Sequence, residues 1–147
     1  MAFVCDERSP TWFRVVMELH ACAQIASTNV TMLHVFLQGA AITINYRNQC
    51  WVNGKEVSYP SRPVPELQID HTGGSVVIER ASILRVEFTS SGQAMLAISP
   101  SLVGKMCGAC GNYDRNLGDD VVSSNGTICP TLSLAVESWQ ASDFNGW

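Results

Sequence analysis

The sequence predicts an all-β fold, an antiparallel two-sheet sandwich of about eight short strands. Apolar residues recur at every second position in short runs, the period of a half-buried strand. Turn residues separate these runs. The clearest is Asn53-Gly54, where both residues readily take positive φ and so form a tight hairpin. Runs at this spacing argue an antiparallel sandwich or a barrel-like pair of sheets.

The runs can be taken in order. Residues 12–19 alternate in part, with Phe13, Val15, Met17 and Leu19 on one face. Residues 30–37 and 40–46 follow, joined by Gln38-Gly39. In the second of these, Ile42, Ile44 and Tyr46 fall on one side, and Thr43 and Asn45 on the other. Cys50-Trp51-Val52 then leads through the Asn53-Gly54 turn into residues 55–59. Pro60, Pro63 and Pro65 cannot donate to a ladder, so they mark an irregular crossing. Residues 67–70, 75–80, 83–89 and 94–99 continue the meander. Their links are Thr72-Gly73-Gly74, Ala81-Ser82 and Ser90-Ser91-Gly92-Gln93.

After Gly104 the texture changes. Cys, Gly, Asn and Asp dominate to about residue 130, which predicts a loop-built region. Residues 131–139 carry Leu132, Leu134, Ala135 and Trp139, which predicts one short helix. The expected organisation is therefore a single domain over 1–147. A β-sandwich covers 3–104, a Cys/Gly/Asp-rich loop region 105–130 and a C-terminal segment 131–147.

A chain of 147 residues suffices for one domain with a real core. It is 46% hydrophobic and only 15% charged, which excludes a disordered chain. The net charge is −4 and the basic residues are scattered, so there is no electrostatic footprint for nucleic acid or an anionic membrane. No apolar run approaches the roughly 18–20 residues of a spanning helix. The opening MAFVCDERSP lacks the basic lead and apolar core of a signal peptide, so the chain is expected to be a fragment of a longer secreted product.

Six cysteines read as a disulfide framework in an oxidising compartment, or as metal or redox chemistry in a reducing one. Two glycosylation sequons, Asn29-Val30-Thr31 and Asn125-Gly126-Thr127, favour the oxidising, secreted setting. Asn112, Asp114, Asn116, Asp119 and Asp120 place five oxygen-bearing side chains within nine positions. Calcium (Ca2+) takes six to eight oxygens in flexible geometry and would relieve the repulsion of three close carboxylates. A solvated Asx-rich turn is the other reading of the same residues. No glutamate falls where an EF-hand needs one.

Cys107-Gly108-Ala109-Cys110 has redox-motif spacing. Nothing marks a helix N-terminus there, and nearby carboxylates would raise a thiol pKa rather than lower it. Structural disulfides at both cysteines and an exchange-active pair both remain open. His20, His34 and His71 are dispersed, so no zinc tetrahedron forms with the CxxC. No nucleophile motif or phosphate loop appears, and no enzyme is expected.

Residues 107–120 read CGACGNYDRNLGDD. This run resembles the von Willebrand factor type D domain, found in mucins, zonadhesin, tectorin and Fc-binding mucus proteins. The matching positions are Cys107, Gly108, Cys110, Gly111, Asn112, Tyr113, Asp114, Asn116, Asp119 and Asp120. Arg115 and Ala109 depart from the usual glycine and leucine. Val52-Asn53-Gly54 with Val57 and Pro60, and Ser138-Trp139 with Asp143-Phe144, extend the likeness over nearly the whole chain.

The resemblance implies a calcium-binding structural and adhesion module of a larger extracellular glycoprotein. Its partners would be other domains of that glycoprotein and extracellular proteins, with homo-oligomers of the parent. A CxxC exchanger promoting multimer assembly, and a truncated copy without function of its own, are the alternatives. The resemblance also implies a Cys5–Cys107 bridge, then Cys22–Cys50, leaving Cys110 and Cys129. Six cysteines allow fifteen connectivities. The family's opening strand and FDG turn are absent, and with them one further aspartate of its calcium site. The chain is thus expected to lack the domain's first strands.

Overall fold

A computed structural model describes residues 1–21 and 28–108 of the chain. The acidic loop and the helix expected over 131–139 lie outside the described residues. Among those residues the fold is all-β, with eleven strands and one 3-10 turn, Pro100–Leu102. About eight strands were expected, and the difference lies mainly in two short strands near the ends of the described chain.

The strands are β1 (Ala2–Val4), β2 (Phe13–Ala21), β3 (Thr28–Leu37), β4 (Ala40–Asn45), β5 (Cys50–Val52), β6 (Lys55–Val57), β7 (Leu67–Thr72), β8 (Ser75–Arg80), β9 (Leu84–Thr89), β10 (Ala94–Ile98) and β11 (Met106–Gly108). One sheet has the order β11-β1-β2-β3-β4-β5-β6 and the other β10-β9-β8-β7. The chain divides into two compact units. Residues 1–16 and those from 102 onward form one, and residues 17–101 form the other.

In the first unit β1 pairs with both β11 and the start of β2. Ala2 lies opposite Gly108 on one side and Val15 on the other. Val4, Phe13, Val15, Leu102 and Met106 are all buried. A tight turn follows β1, where the Asp6 carboxylate accepts the Arg8 amide at 3.0 Å. β11 corrects the expectation of a loop from residue 105. Met106–Gly108 has no alternation to read, and it becomes a strand because β1 offers it a free edge.

In the second unit the alternation works as the sequence suggests. Ala40, Ile42 and Ile44 are buried along β4 while their neighbours are half-exposed. Tyr46 is the exception: it lies past the strand end and is 55% exposed. In the smaller sheet Ile69, Ile78, Val86 and Leu96 pair in one row across four strands. The first three are fully buried, and each such side chain withdrawn from water contributes about 1.5–3 kcal/mol. β10 lies at the end of that sheet's order, so Ala94, Leu96 and Ile98 are only half-buried.

The Asn53-Gly54 hairpin forms as expected, with φ of 50° and 82°, and Val52 pairs with Lys55 across it. Asn53 also clamps the neighbouring strand. Its amide donates to the Ala41 carbonyl at 2.8 Å, and its side-chain oxygen accepts the Ala41 amide at 2.9 Å. β6 then ends at Val57, so Tyr59 stands beyond the strand expected to contain it.

β3 departs from simple alternation. Leu33, Val35 and Leu37 are buried on one face, and His34 between them is buried too. β2 shows a similar pattern. Val16 is 5% exposed, while Met17, expected inside, is half-exposed. A strand covered on both faces reads as a near-continuous apolar run, and 30–37 has that texture.

Candidate functional site

The residues that carry the chemistry start at β11. Cys107 sits opposite Phe3, and the Cys5 amide donates to the Lys105 carbonyl at 3.0 Å. This brings Cys5 and Cys107 diagonally together, and they form a disulfide with Cα atoms 5.3 Å apart. The separation lies in the usual range for such bridges. The bridge matches the pairing the resemblance implies. Cys107 is thereby joined to a cysteine 102 residues away, not to its CxxC neighbour. That pairing counts against an exchange-active CxxC. Cys110 itself lies outside the described residues, as do Cys22, Cys129, Asn125 and the five calcium candidates Asn112, Asp114, Asn116, Asp119 and Asp120.

Cys22, the partner expected for Cys50, lies outside the described residues. Cys50 itself is a buried free thiol. It lies on the inward face of β5, opposite Ile44 and Val57. Burial pushes the thiol up to about 11, and a hydrogen bond with the Tyr59 side chain offsets only part of that. Such a thiol stays protonated at neutral pH and is a poor nucleophile. Burial, then the proximity of Cys50, also raises the Tyr59 phenol. The Tyr59 hydroxyl donates to the Asn48 carbonyl at 2.8 Å, and its ring lies 5.3 Å from that of His71.

His34, expected to be an ordinary sheet residue, is a buried polar group at the centre of β3. Its Nδ1 lies 3.0 Å from the Thr43 hydroxyl, and its Nε2 lies 3.5 Å from the Glu18 carboxylate. Its ring stacks near Phe36 at 6.5 Å. Burial lowers its pKa from the ordinary 6.5, against the opposing pull of Glu18. The unfolded chain therefore takes up this proton first. The stability is fully present above about pH 6.5 and is lost as pH falls toward the lower folded value. The slope should not exceed about 1.4 kcal/mol per pH unit from this one group. Urea midpoints between pH 8 and 5 read the effect, and a His34→Gln variant should flatten that step. An identical profile in the variant would remove His34 as the cause.

Among the described residues, no group of three or more His, Cys, Asp or Glu side chains comes together to hold a metal. No helix among them is long and apolar enough to cross a membrane. Asn29 lies at the start of β3 and is exposed.

Comparison with known proteins agrees with this geometry. Residues 1–127 match the family model described as the von Willebrand factor type D domain. Human IgGFc-binding protein is 30% identical over 135 residues, covering 91% of this chain and 2% of that protein. Human zonadhesin is 26% identical over 140 residues, covering 95% and 5%. Human alpha-tectorin is 24% identical over 140 residues, covering 95% and 6%. The chain therefore spans only a small part of each of these relatives. With two antiparallel sheets, a Cys5–Cys107 tie and a match over most of its length, the chain belongs to the von Willebrand factor type D domain family.

Proposed function

We propose that this chain is a calcium-binding structural and adhesion module of a larger extracellular, mucin-like or matrix glycoprotein, and that it is not a catalyst. The observation that carries this reading is the Cys5–Cys107 bridge. It belongs to an oxidising compartment, and it fixes the strand from which the acidic run continues. Family membership supports the reading, because the relatives are long proteins in which a domain of this size is one part. Partners would be other domains of the same glycoprotein and extracellular proteins, with the parent forming homo-oligomers.

Asn112, Asp114, Asn116, Asp119 and Asp120 would hold the calcium ion. The donor set suits the ion, being all oxygen with three carboxylates, and it contains no soft ligand. Calcium would supply there the positive charge that offsets the repulsion of three close carboxylates. The chain supplies the anchor, since Cys107 is tied by β1 and by the bridge only five residues before Asn112. Titration calorimetry of the oxidised chain with calcium tests the reading. Heat of binding at or below millimolar calcium is expected, and Asp119→Asn with Asp120→Asn should abolish it. A flat titration at millimolar calcium would sink the calcium assignment.

A further inference from the structure

We propose that Asn29 carries an N-linked glycan that is attached before β3 closes into its sheet and that then covers the β9–β10 turn. The inference rests on the extracellular reading above. It starts from the sequon Asn29-Val30-Thr31, and the structure adds what the tripeptide alone lacks.

The acceptor is accessible and seated. Asn29 is exposed, and its side chain lies across Gly92 in the turn between β9 and β10. A Cβ at Gly92 would stand 2.9 Å from the Asn29 Cβ and 3.1 Å from its Cγ. The glycine therefore leaves the room the asparagine uses. The next residue fixes the position, as the Val30 amide donates to the Gly92 carbonyl at 2.9 Å. Ser90 and Ser91 beside it are exposed, so a sugar on Asn29 meets a small, polar surface.

The same contacts close the sequon to the enzyme that would modify it. The transferase needs an extended tripeptide with a free hydroxyl two residues past the asparagine. In the folded unit the Thr31 hydroxyl donates to the Glu18 carbonyl at 3.3 Å. The Thr31 carbonyl accepts the Tyr46 amide at 3.0 Å. The sequon is thus engaged at two residues, Thr31 by β2 and the turn after β4, and Val30 by Gly92. Transfer must precede folding. The donor is a lipid pyrophosphate-linked oligosaccharide. The Asn29 amide nitrogen bonds to C1 of its first sugar, the C1–O bond to pyrophosphate breaks, and the pyrophosphate keeps that electron pair. The amide gives up one proton to a base. Once in place, the glycan makes this end of the unit unsuited to docking another protein, so an adhesion surface lies elsewhere.

The test uses the full chain behind a secretion signal in animal cells, with Asn125→Gln leaving Asn29 as the sole sequon. Enzymatic deglycosylation in heavy-oxygen water followed by peptide mass spectrometry should convert Asn29 to labelled aspartate. Thr31→Ala should abolish both the label and the one-glycan mobility shift. A secreted chain with unmodified Asn29 overturns the inference and leaves the extracellular reading standing. A chain retained in the cell with Asn29 glycosylated supports the inference and counts against secretion. Timing is read separately with purified transferase and lipid-linked donor. The reduced, unfolded chain should accept the glycan and the folded, oxidised chain should not. Equal acceptance by both overturns the claim that transfer precedes folding.

Discussion

Unfolding the chain without its Cys5–Cys107 bridge should take about 4 kcal/mol less free energy than unfolding the oxidised form. The bridge spans 102 residues, nearly the whole described chain. In the chain-entropy account, a closed loop of roughly 100 residues restricts the unfolded ensemble by about 4–5 kcal/mol, with strain able to reduce the net gain. Few other contacts replace it locally. β1 and β11 are three residues each, and two such strands are too short to hold together on ladder bonds alone. A domain of this size is stable by only about 5–15 kcal/mol, so the loss is a large fraction of the total. Urea denaturation of the Cys5→Ala, Cys107→Ala double variant against the oxidised chain measures it. The double variant is the right comparison, because a single one leaves a thiol that can exchange with other cysteines. A midpoint within error of the oxidised chain would show that the tie adds nothing to the fold.

The interior strands were legible because their pattern is local. Ile42 and Ile44, or Val76 and Ile78, declare a buried face within a few residues, and Asn53-Gly54 declares the turn between its flanking strands. β11 was not legible, because Met106-Cys107-Gly108 carries no period. Its strand state depends on β1, about a hundred residues earlier in the chain. His34 fell between these cases. The run from Val30 to Leu37 is apolar on both faces, which signals a strand covered twice, but a histidine within it does not show which side will be dry. Cys50 was illegible for a related reason. Its pairing was carried over from a resemblance, whereas its own place opposite Ile44 suits a small apolar group as well as half of a bridge. The bridge at Cys5 was carried over in the same way and did form, since β1 and β11 bring its two ends together.

Replacing Gly108 by alanine should cost about 3 kcal/mol, although the change adds a single methyl group. Gly108 has φ of 122°, where a side chain strains the backbone by about 1–3 kcal/mol. The added Cβ would also collide with the Met1 carbonyl oxygen and stand 2.8 Å from the Ala2 Cα. Both are backbone atoms, one in the paired strand and one just before it, not the far end of a flexible side chain, and overpacking of this kind costs about 1–3 kcal/mol. The middle of the CxxC is therefore glycine because β1 passes too close for anything larger, a packing reason that needs no redox role. Two measurements check this. The urea midpoint should fall, and the Cys5 amide, bonded to the Lys105 carbonyl, should exchange faster with solvent. Wild-type values for both would sink the account. The effect should also depend on the bridge next to it, because neighbouring sites couple. In the Cys5→Ala, Cys107→Ala background β11 is free to leave β1, and the clash leaves with it. Gly108→Ala should then cost less than about 1 kcal/mol. An undiminished cost there would mean that β1 and β11 stay paired without their covalent tie, and that the disulfide follows from the strand pairing and does not hold it in place.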